Sequence, residues 1–248
     1  MAVLVYGIVR PGHPPRGLSH EQVRRVDVGP VAALVVPTDD DAVLDDDDVD
    51  AYLDTLIEAL AHGPVLPVEF GTVAPDDDAV RAHLGVVADV FRRRLDDLEG
   101  LVEVRVDLTL DEVGAIRRIV ANTPALERVA RLGTLPSTLS DRVALGEQMS
   151  FALADLRDAL GDQLLDRVGD LAVAHALRPS SSVTELRHAY LIRAEDLPEV
   201  DAVIDAFRAE LDESFELEYV GPLPAFDFTE VELEAGPRSV QEGHRWGW

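Results

Sequence analysis

Cysteine and lysine are both missing from this chain of 248 residues, and all 22 of its basic side chains are arginine. The lack of cysteine excludes disulfides, thiolate metal sites and cysteine nucleophiles together. Signatures of several common chemistries are missing too: there is no serine-hydrolase elbow, no Walker A loop and no GxGxxG segment. The opening run MAVLVYGIVRPG is apolar but far too short to span a membrane, and it has neither the basic region nor the cleavage site of a signal peptide. A soluble cytoplasmic protein is the expectation.

What the chain has in excess is acid. Aspartate and glutamate number 48, giving a formal net charge of −26 and a pI near 4.4. Such a field repels nucleic acid and anionic membrane, so neither is expected as a partner, whereas a cationic partner is compatible with it. Genome composition or a salty cytoplasm accounts for the same bias without specifying any function.

With 47% hydrophobic residues the chain can bury sizeable cores, and its length points to two domains. Val3–Val9 reads as a strand ended by the turn-rich Arg10–Gly17, followed by short strands near Val23–Val28 and Val31–Val36 on either side of Gly29-Pro30. A helix follows the aspartate-rich Asp39–Asp50, with Val49, Tyr52, Leu53, Leu56, Ile57 and Leu60 on one face and Gly63-Pro64 as its stop. The aspartates lack the glycine and terminal glutamate of an EF-hand and are read as acids at a positive helix N-terminus. After Val65–Val68 and a turn at Gly71, a second helix runs from about Pro75–Asp78 to Gly100 with the stripe Val80, Leu84, Val87, Phe91, Leu95 and Leu98. Its Arg92, Arg93 and Arg94 could bind phosphate; complementing the helix dipole and pairing with nearby acids is the simpler reading.

Leu101–Thr109 alternates, which predicts a half-buried strand with Val102, Val104, Val106 and Leu108 on one face and Glu103, Arg105, Asp107 and Thr109 on the other. One or two shorter helices over 111–132, broken at Asn122-Thr123-Pro124, lead to a long helix over Leu139–Val168 and strands at Leu171–Leu177 and Leu186–Arg193. A helix opened by Asp196 and Glu199 at capping-box spacing buries Leu197, Val200, Val203, Ile204, Phe207 and Leu211, and strands at Phe215–Val220 and Phe226–Leu233 complete the series. From Leu101 the order is the split βαβ pattern of a ferredoxin-like sandwich with extra helix in its first crossover. The expected architecture is α+β: an N-terminal domain over residues 1–99, a ferredoxin-like domain over 100–233, and a mobile tail over 234–248 whose Trp246 and Trp248 could dock on a partner.

None of the seven histidines forms a compact metal-ligand pair. His175 lies in an apolar strand and is read as a structural, hydrogen-bonded residue, and His62 as part of a helix end. Ser180, Ser181 and Ser182 suit a hairpin loop better than a nucleophile, and the carboxylates are too abundant to single out an acid/base pair. No catalytic residue, metal or cofactor is expected.

Two segments stand apart, VLPVEFGTV at Val65–Val73 and EYVGPLPAFDF at Glu218–Phe228, each combining prolines and a glycine with aromatic residues. Proline fixes φ and removes a donor, so these are rigid bends or edge strands that place Phe70, Phe226 and Phe228 at definite points. They are either buried bends locking the domain cores or an assembly surface.

At these residues the chain resembles the GvpL/GvpF family of gas vesicle proteins. Val5-Tyr6-Gly7-Ile8 matches its YGI-like strand end, Leu66–Val73 its LPLRFGTVF-like segment, and Gly221–Phe228 its GPWPPYSF-like segment, all in the family order. The chain departs at Glu69 (usually basic), at Ala74 (usually aromatic or apolar), and at Leu223 and Ala225, which replace a tryptophan and a proline. The resemblance implies two α+β domains, the second a modified ferredoxin-like one, and a non-enzymatic structural or assembly role in gas vesicles of the cytoplasm. Its implied partners are the hydrophobic shell protein and other accessory proteins rather than a lipid membrane. Candidate partner contacts are Phe70, Leu223, Phe226 and Phe228. The competing readings are a small-molecule-binding or catalytic ferredoxin-like protein and a regulatory interaction module.

Overall fold

The computed structural model describes residues 1–14, 22–39, 44–122, 138–180, 182, 184–229 and 239–240. Its N-terminal half is organised by strand β1 (Val3–Val9), which is buried along its whole length. One edge of β1 pairs antiparallel with β3 (Val31–Pro37), and β3 pairs with β2 (Arg24–Val28) across a turn in which Gly29 takes φ +58°. The other edge of β1 pairs with two short pieces, β4 (Leu66–Pro67) and β5 (Val73–Ala74). Helix α1 (Asp46–Leu60) packs on one face of this sheet, against Leu4, Tyr6, Leu34 and Val36. Helix α2 (Asp77–Asp97) packs on the other, against Val3, Val5, Ala33 and Val35. With both faces covered, β1 and β3 are near-continuous apolar runs rather than alternating ones.

The expected helix starts are present, and the acids at them act as caps. The Asp45 carboxylate accepts from the Asp48 N–H at 3.2 Å and the Asp48 carboxylate from the Asp45 N–H at 2.9 Å, a reciprocal capping box. Asp76 caps α2 by accepting from Ala79 N–H at 2.8 Å. Asp40 and Asp41 lie outside the described residues. Arg92 pairs with Asp96 at 2.8 Å near the end of α2, as the acid-pairing reading expects. In α1 the buried face is centred on Tyr52, Leu56 and Ala59, so Ile57 faces outward.

In the C-terminal half, β6 (Leu101–Leu110) lies between β8 (Glu185–Arg193) and β9 (Phe215–Leu223), with β7 (Ala172–Leu177) beyond β8. All these neighbours are antiparallel. Helices α3 (Glu112–Asn122), α4 (Leu139–Val168) and α5 (Leu197–Glu210) cover one face, burying Val104, Val106, Tyr190, Leu164 and Phe207. The result is an α+β fold with two antiparallel sheets.

Several expectations need correction. Asp196 does not cap α5: a short 3₁₀ turn over Ala194–Asp196 gives it helical backbone (φ −88°, ψ −4°), whereas a cap needs extended backbone, and Asp196 instead lies 3.7 Å from Arg193. In place of a strand beginning at Phe226, residues 224–229 make a turn closed by Phe226 N–H to Pro224 O at 2.7 Å. The rest of that expected strand, the second short helix after Asn122 and Trp246 and Trp248 lie outside the described residues. Ser239 and Val240, within the expected tail, form a two-residue strand β10 parallel to β7.

The polar side of β6 is a solvent face only at its end, where Thr109 is exposed. Glu103 has no exposure at all, and Arg105 and Asp107 are half-buried. The reason lies in the tertiary arrangement: β6 is flanked by strands on both edges, and the turn at 224–229 lies against this side of the sheet.

Candidate functional site

Of the three family-matching segments, Val5–Ile8 and Leu66–Val73 build one piece of structure. A Cβ at Gly7 would lie 3.0 Å from Leu56 Cδ2, 3.0 Å from Val65 Cγ1 and 3.1 Å from Leu66 O, so only glycine lets α1 and β4 approach β1 this closely. Leu66–Val73 then follows β1: Val68 N–H donates to Tyr6 O at 3.0 Å, and Val5 N–H to Thr72 O at 2.8 Å. Between these bonds Glu69, Phe70 and Gly71 leave the strand as a small loop, which turns at Gly71 with φ +88°. Thr72 Oγ1 closes the loop by donating to Glu69 O at 2.7 Å. Phe70 folds back edge-on to Tyr52 at 5.3 Å, and Tyr52 meets Tyr6 at 5.3 Å. The Tyr52 hydroxyl donates to Val68 O at 2.6 Å, and burial raises its pKa.

The third segment is a strap between the two sheets. Where β9 ends, its register on β6 shifts between Glu103 and Arg105, and a Cβ at Gly221 would lie 2.7 Å from Val104 Cγ1. The absence of a side chain lets the chain pass this close. Ala225 and Phe228, the latter 2% exposed, join one buried cluster with Val5, Leu84 and Leu98 from the N-terminal half and Ala176, Ala189 and Leu191 from the second sheet. Phe226 packs against the cluster beneath α1 that Phe70 also meets, with the Arg105 guanidinium 5.2 Å from its ring centroid. Among the candidate contacts, then, Leu223 and Phe228 are buried, while Phe70 and Phe226 keep partly exposed rings.

Charge fastens the strap. Glu103 Oε2 accepts from the backbone N–H of Asp227 at 2.7 Å, and Glu103 Oε1 accepts from Arg105 Nε at 2.7 Å. Arg105 also reaches Asp227 Oδ2 at 2.9 Å, and Arg178 Nε lies 3.3 Å from the same oxygen. Arg178 pairs with Asp107 at 2.8 Å, and Arg187 lies 3.3 Å from Asp107. Burial, reinforced by the Asp227 charge and opposed by Arg105, pushes the Glu103 carboxyl up to about 8. A raised carboxyl can mark an acid/base catalyst. Here both carboxyl oxygens already bond to the chain itself, and the arrangement works as a latch. Sequence reasoning missed it because Glu103 and Asp227 stand in unrelated segments, each unremarked by its neighbours.

The remaining polar residues serve the fold. His62 N–H donates to Ala59 O at 2.9 Å at the end of α1. Ser180 Oγ bonds Ser182 O at 3.0 Å and Glu185 at 2.9 Å, which closes the β7–β8 hairpin; Ser181 lies outside the described residues. His175 is half-buried, with its ring 6.4 Å from that of Tyr190. Two histidines not singled out from the sequence are buried. The His13 ring bonds Ala59 O at 2.8 Å and so ties the turn after β1 to α1. His188 stacks on Tyr190 at 5.6 Å, and burial lowers its pKa to about 4. Among the described residues no group of three or more His, Cys, Asp or Glu is placed to hold a metal ion, and no helix is long and apolar enough to cross a membrane.

A cleft of about 350 Å³ opens between β5 and the start of α2, lined by Val5, Thr72, Val73, Ala74, Pro75, Ala79, Val80 and His83. Its lining is mainly apolar, and among the described residues Thr72 and His83 bring its polar side chains.

These features define a two-sheet α+β protein whose distinctive residues lock its halves together and whose cleft has a mainly apolar lining. The chain belongs to the GvpL/GvpF family: residues 2–230 match Gas vesicle synthesis protein GvpL/GvpF. It is 31% identical over 241 residues to Gas vesicle protein F of Streptomyces sp. (strain CB03234), covering 93% of this chain and 100% of that one. It is 26% identical over 231 residues to Gas vesicle protein F1 of Halobacterium salinarum (strain ATCC 700922 / JCM 11081 / NRC-1), covering 91% and 88%. The crystal structures of GvpF from Microcystis aeruginosa and Anabaena sp. PCC7120 share its fold. Their TM-scores are 0.76 and 0.80 at 17% and 16% identity, each over 93% of this chain and 99% of the other. Family membership supports a gas vesicle-associated role.

Proposed function

We propose that the protein is a non-enzymatic assembly factor or minor structural component of gas vesicles, binding the hydrophobic shell protein and other accessory proteins in the cytoplasm or at the vesicle. The observation that carries this reading is the family match over residues 2–230. The surface chemistry supports it: a net charge of −26 keeps the carrier soluble, while limited apolar areas can shield a subunit that would otherwise self-associate. Phe70 and Phe226 are the direct contacts in this reading; Leu223 and Phe228 act by holding the strap that presents Phe226. The cleft has the size of a small-ligand pocket, but its lining lacks the convergent polar side chains that orient a substrate. The test is deletion in a vesicle-forming cell lacking a duplicate gene, with electron microscopy and restoration by the wild-type chain. Malformed or missing vesicles are expected, and normal vesicles would overturn the assembly role. Co-purification with the shell protein separates binding from an indirect effect.

A further inference from the structure

The cleft between β5 and α2 continues along α2 into an exposed strip that is apolar apart from His83. Ala79 and His83 line the cleft, and Val86 and Val90 follow them at helical spacing on the same face of α2. Val86 is 86% exposed and Val90 44%, while Val73 on the cleft wall is 47% exposed. From Ala79 to Val90 the strip runs about 16 Å, or three helical turns. It lies on the other side of α2 from the charged pairs of Arg81 with Asp78 and of Arg92 with Asp96. On this side of α2 Asp76, Asp89 and Asp97 are exposed and outnumber the exposed Arg93, with Arg94 partly covered, and among the described residues no strand pairs with the outer edge of β5.

We infer that the cleft and the Ala79–Val90 strip form a docking surface for an amphipathic helix whose apolar face is flanked by arginine or lysine. Shape sets the apolar part of that requirement: a straight strip of three turns matches partner residues at i, i+4, i+7 and i+11, with the cleft taking a larger side chain at one end. Charge sets the rest. The acids beside the strip would meet cationic flanks, and a net charge of −26 would steer such a helix in while repelling an acidic one. The occupant is therefore not a second copy of this chain, which carries the same negative field. The inference rests on the reading of the protein as a binder of other proteins and narrows where it binds and what it accepts.

A labelled synthetic peptide with leucines at i, i+4, i+7 and i+11 and flanking arginines is titrated with the full chain by fluorescence anisotropy. Wild type is expected to bind it, more weakly at high salt. Val86→Ser combined with Val90→Ser, both at exposed positions, is expected to weaken binding about tenfold with no change in fold by circular dichroism. This substitution leaves charge unaltered, so it isolates the apolar contact. Three results would each overturn the inference: equal binding by the double variant, equal binding of a scrambled peptide of the same charge, or self-association of the chain that the double variant abolishes. Failure here with a vesicle defect on deletion would leave the assembly role standing. Peptide docking with normal vesicles on deletion would leave the surface and remove that role.

Discussion

The backbone N–H of Asp227 donates to Glu103 Oε2 at 2.7 Å, joining positions 124 residues apart. This bond closes the strap over the middle of the second sheet, and Arg105 binds both partners, at 2.7 Å to Glu103 and 2.9 Å to Asp227. Because Glu103 has no exposure, breaking either contact leaves one buried carboxyl oxygen without a partner.

Stability is expected to fall as pH rises toward 8. The folded Glu103 titrates at about 8 against an ordinary value of 4.5, so across that window the folded state holds a proton that the unfolded chain has lost. The stabilising contribution, on the order of a few kcal/mol, is fully present below 4.5 and is lost through 8. His188, lowered from 6.5 to about 4, acts in the opposite sense below 6.5, which makes the range above 6.5 the cleaner one to read. Urea midpoints across this range should decline in the wild type and stay flat in Glu103→Gln. The same decline in both proteins would show that another group is responsible.

Arg105→Met is expected to destabilise by about 1–3 kcal/mol below pH 8, where Glu103 holds a proton and loses a hydrogen-bond donor rather than a charge partner, and by more above it, where the buried carboxylate would stand unpaired beside Asp227. It also removes the guanidinium from the Phe226 ring. In Arg105→Met with Glu103→Gln, part of the loss should be recovered, since the buried carboxyl is then gone. Additive losses in denaturant unfolding would count against a coupled latch.

The four aromatic and apolar candidates should separate into two groups. Phe228→Ala is expected to cost about 3–5 kcal/mol, since it opens a cavity in the cluster shared by both halves. Phe70→Ala and Phe226→Ala remove partly exposed rings and should cost roughly half as much or less. If these two rings contact the shell protein, co-purification drops in their variants while thermal unfolding stays cooperative. Retained co-purification in both would remove them as contacts.

Gly7→Ala should destabilise by about 1–3 kcal/mol, because the new methyl meets a backbone carbonyl at 3.1 Å that cannot swing away. Gly85→Ala, in α2 with no neighbour within 4 Å of the added carbon, should stabilise by roughly 0.5–1 kcal/mol through helix propensity. Opposite signs in thermal unfolding are the expected pattern. A neutral Gly7→Ala would show that α1 and β4 can shift apart.

Local order was legible in the sequence because its causes are local. The spans of β1 and of the 30-residue α4 follow from the apolar pattern and the Gly and Pro stops beside it, and the acids before α1 and α2 act as caps within one turn. Two of the three family segments were recognisable as rigid bends from their prolines. Their places in the tertiary structure were not. Alternation in β6 marks two faces, yet it cannot say what lies on the second, and Glu103 looks the same in sequence whether water or a strap covers it. Phe226 and Phe228 share a local setting, but the turn at 224–229 sends Phe228 into the cluster between the sheets and leaves Phe226 partly exposed against Arg105. The sequence by itself determined the elements, the charge and the family. Which side chains are covered was decided only when distant segments packed, because burial depends on what another part of the chain brings to the same place.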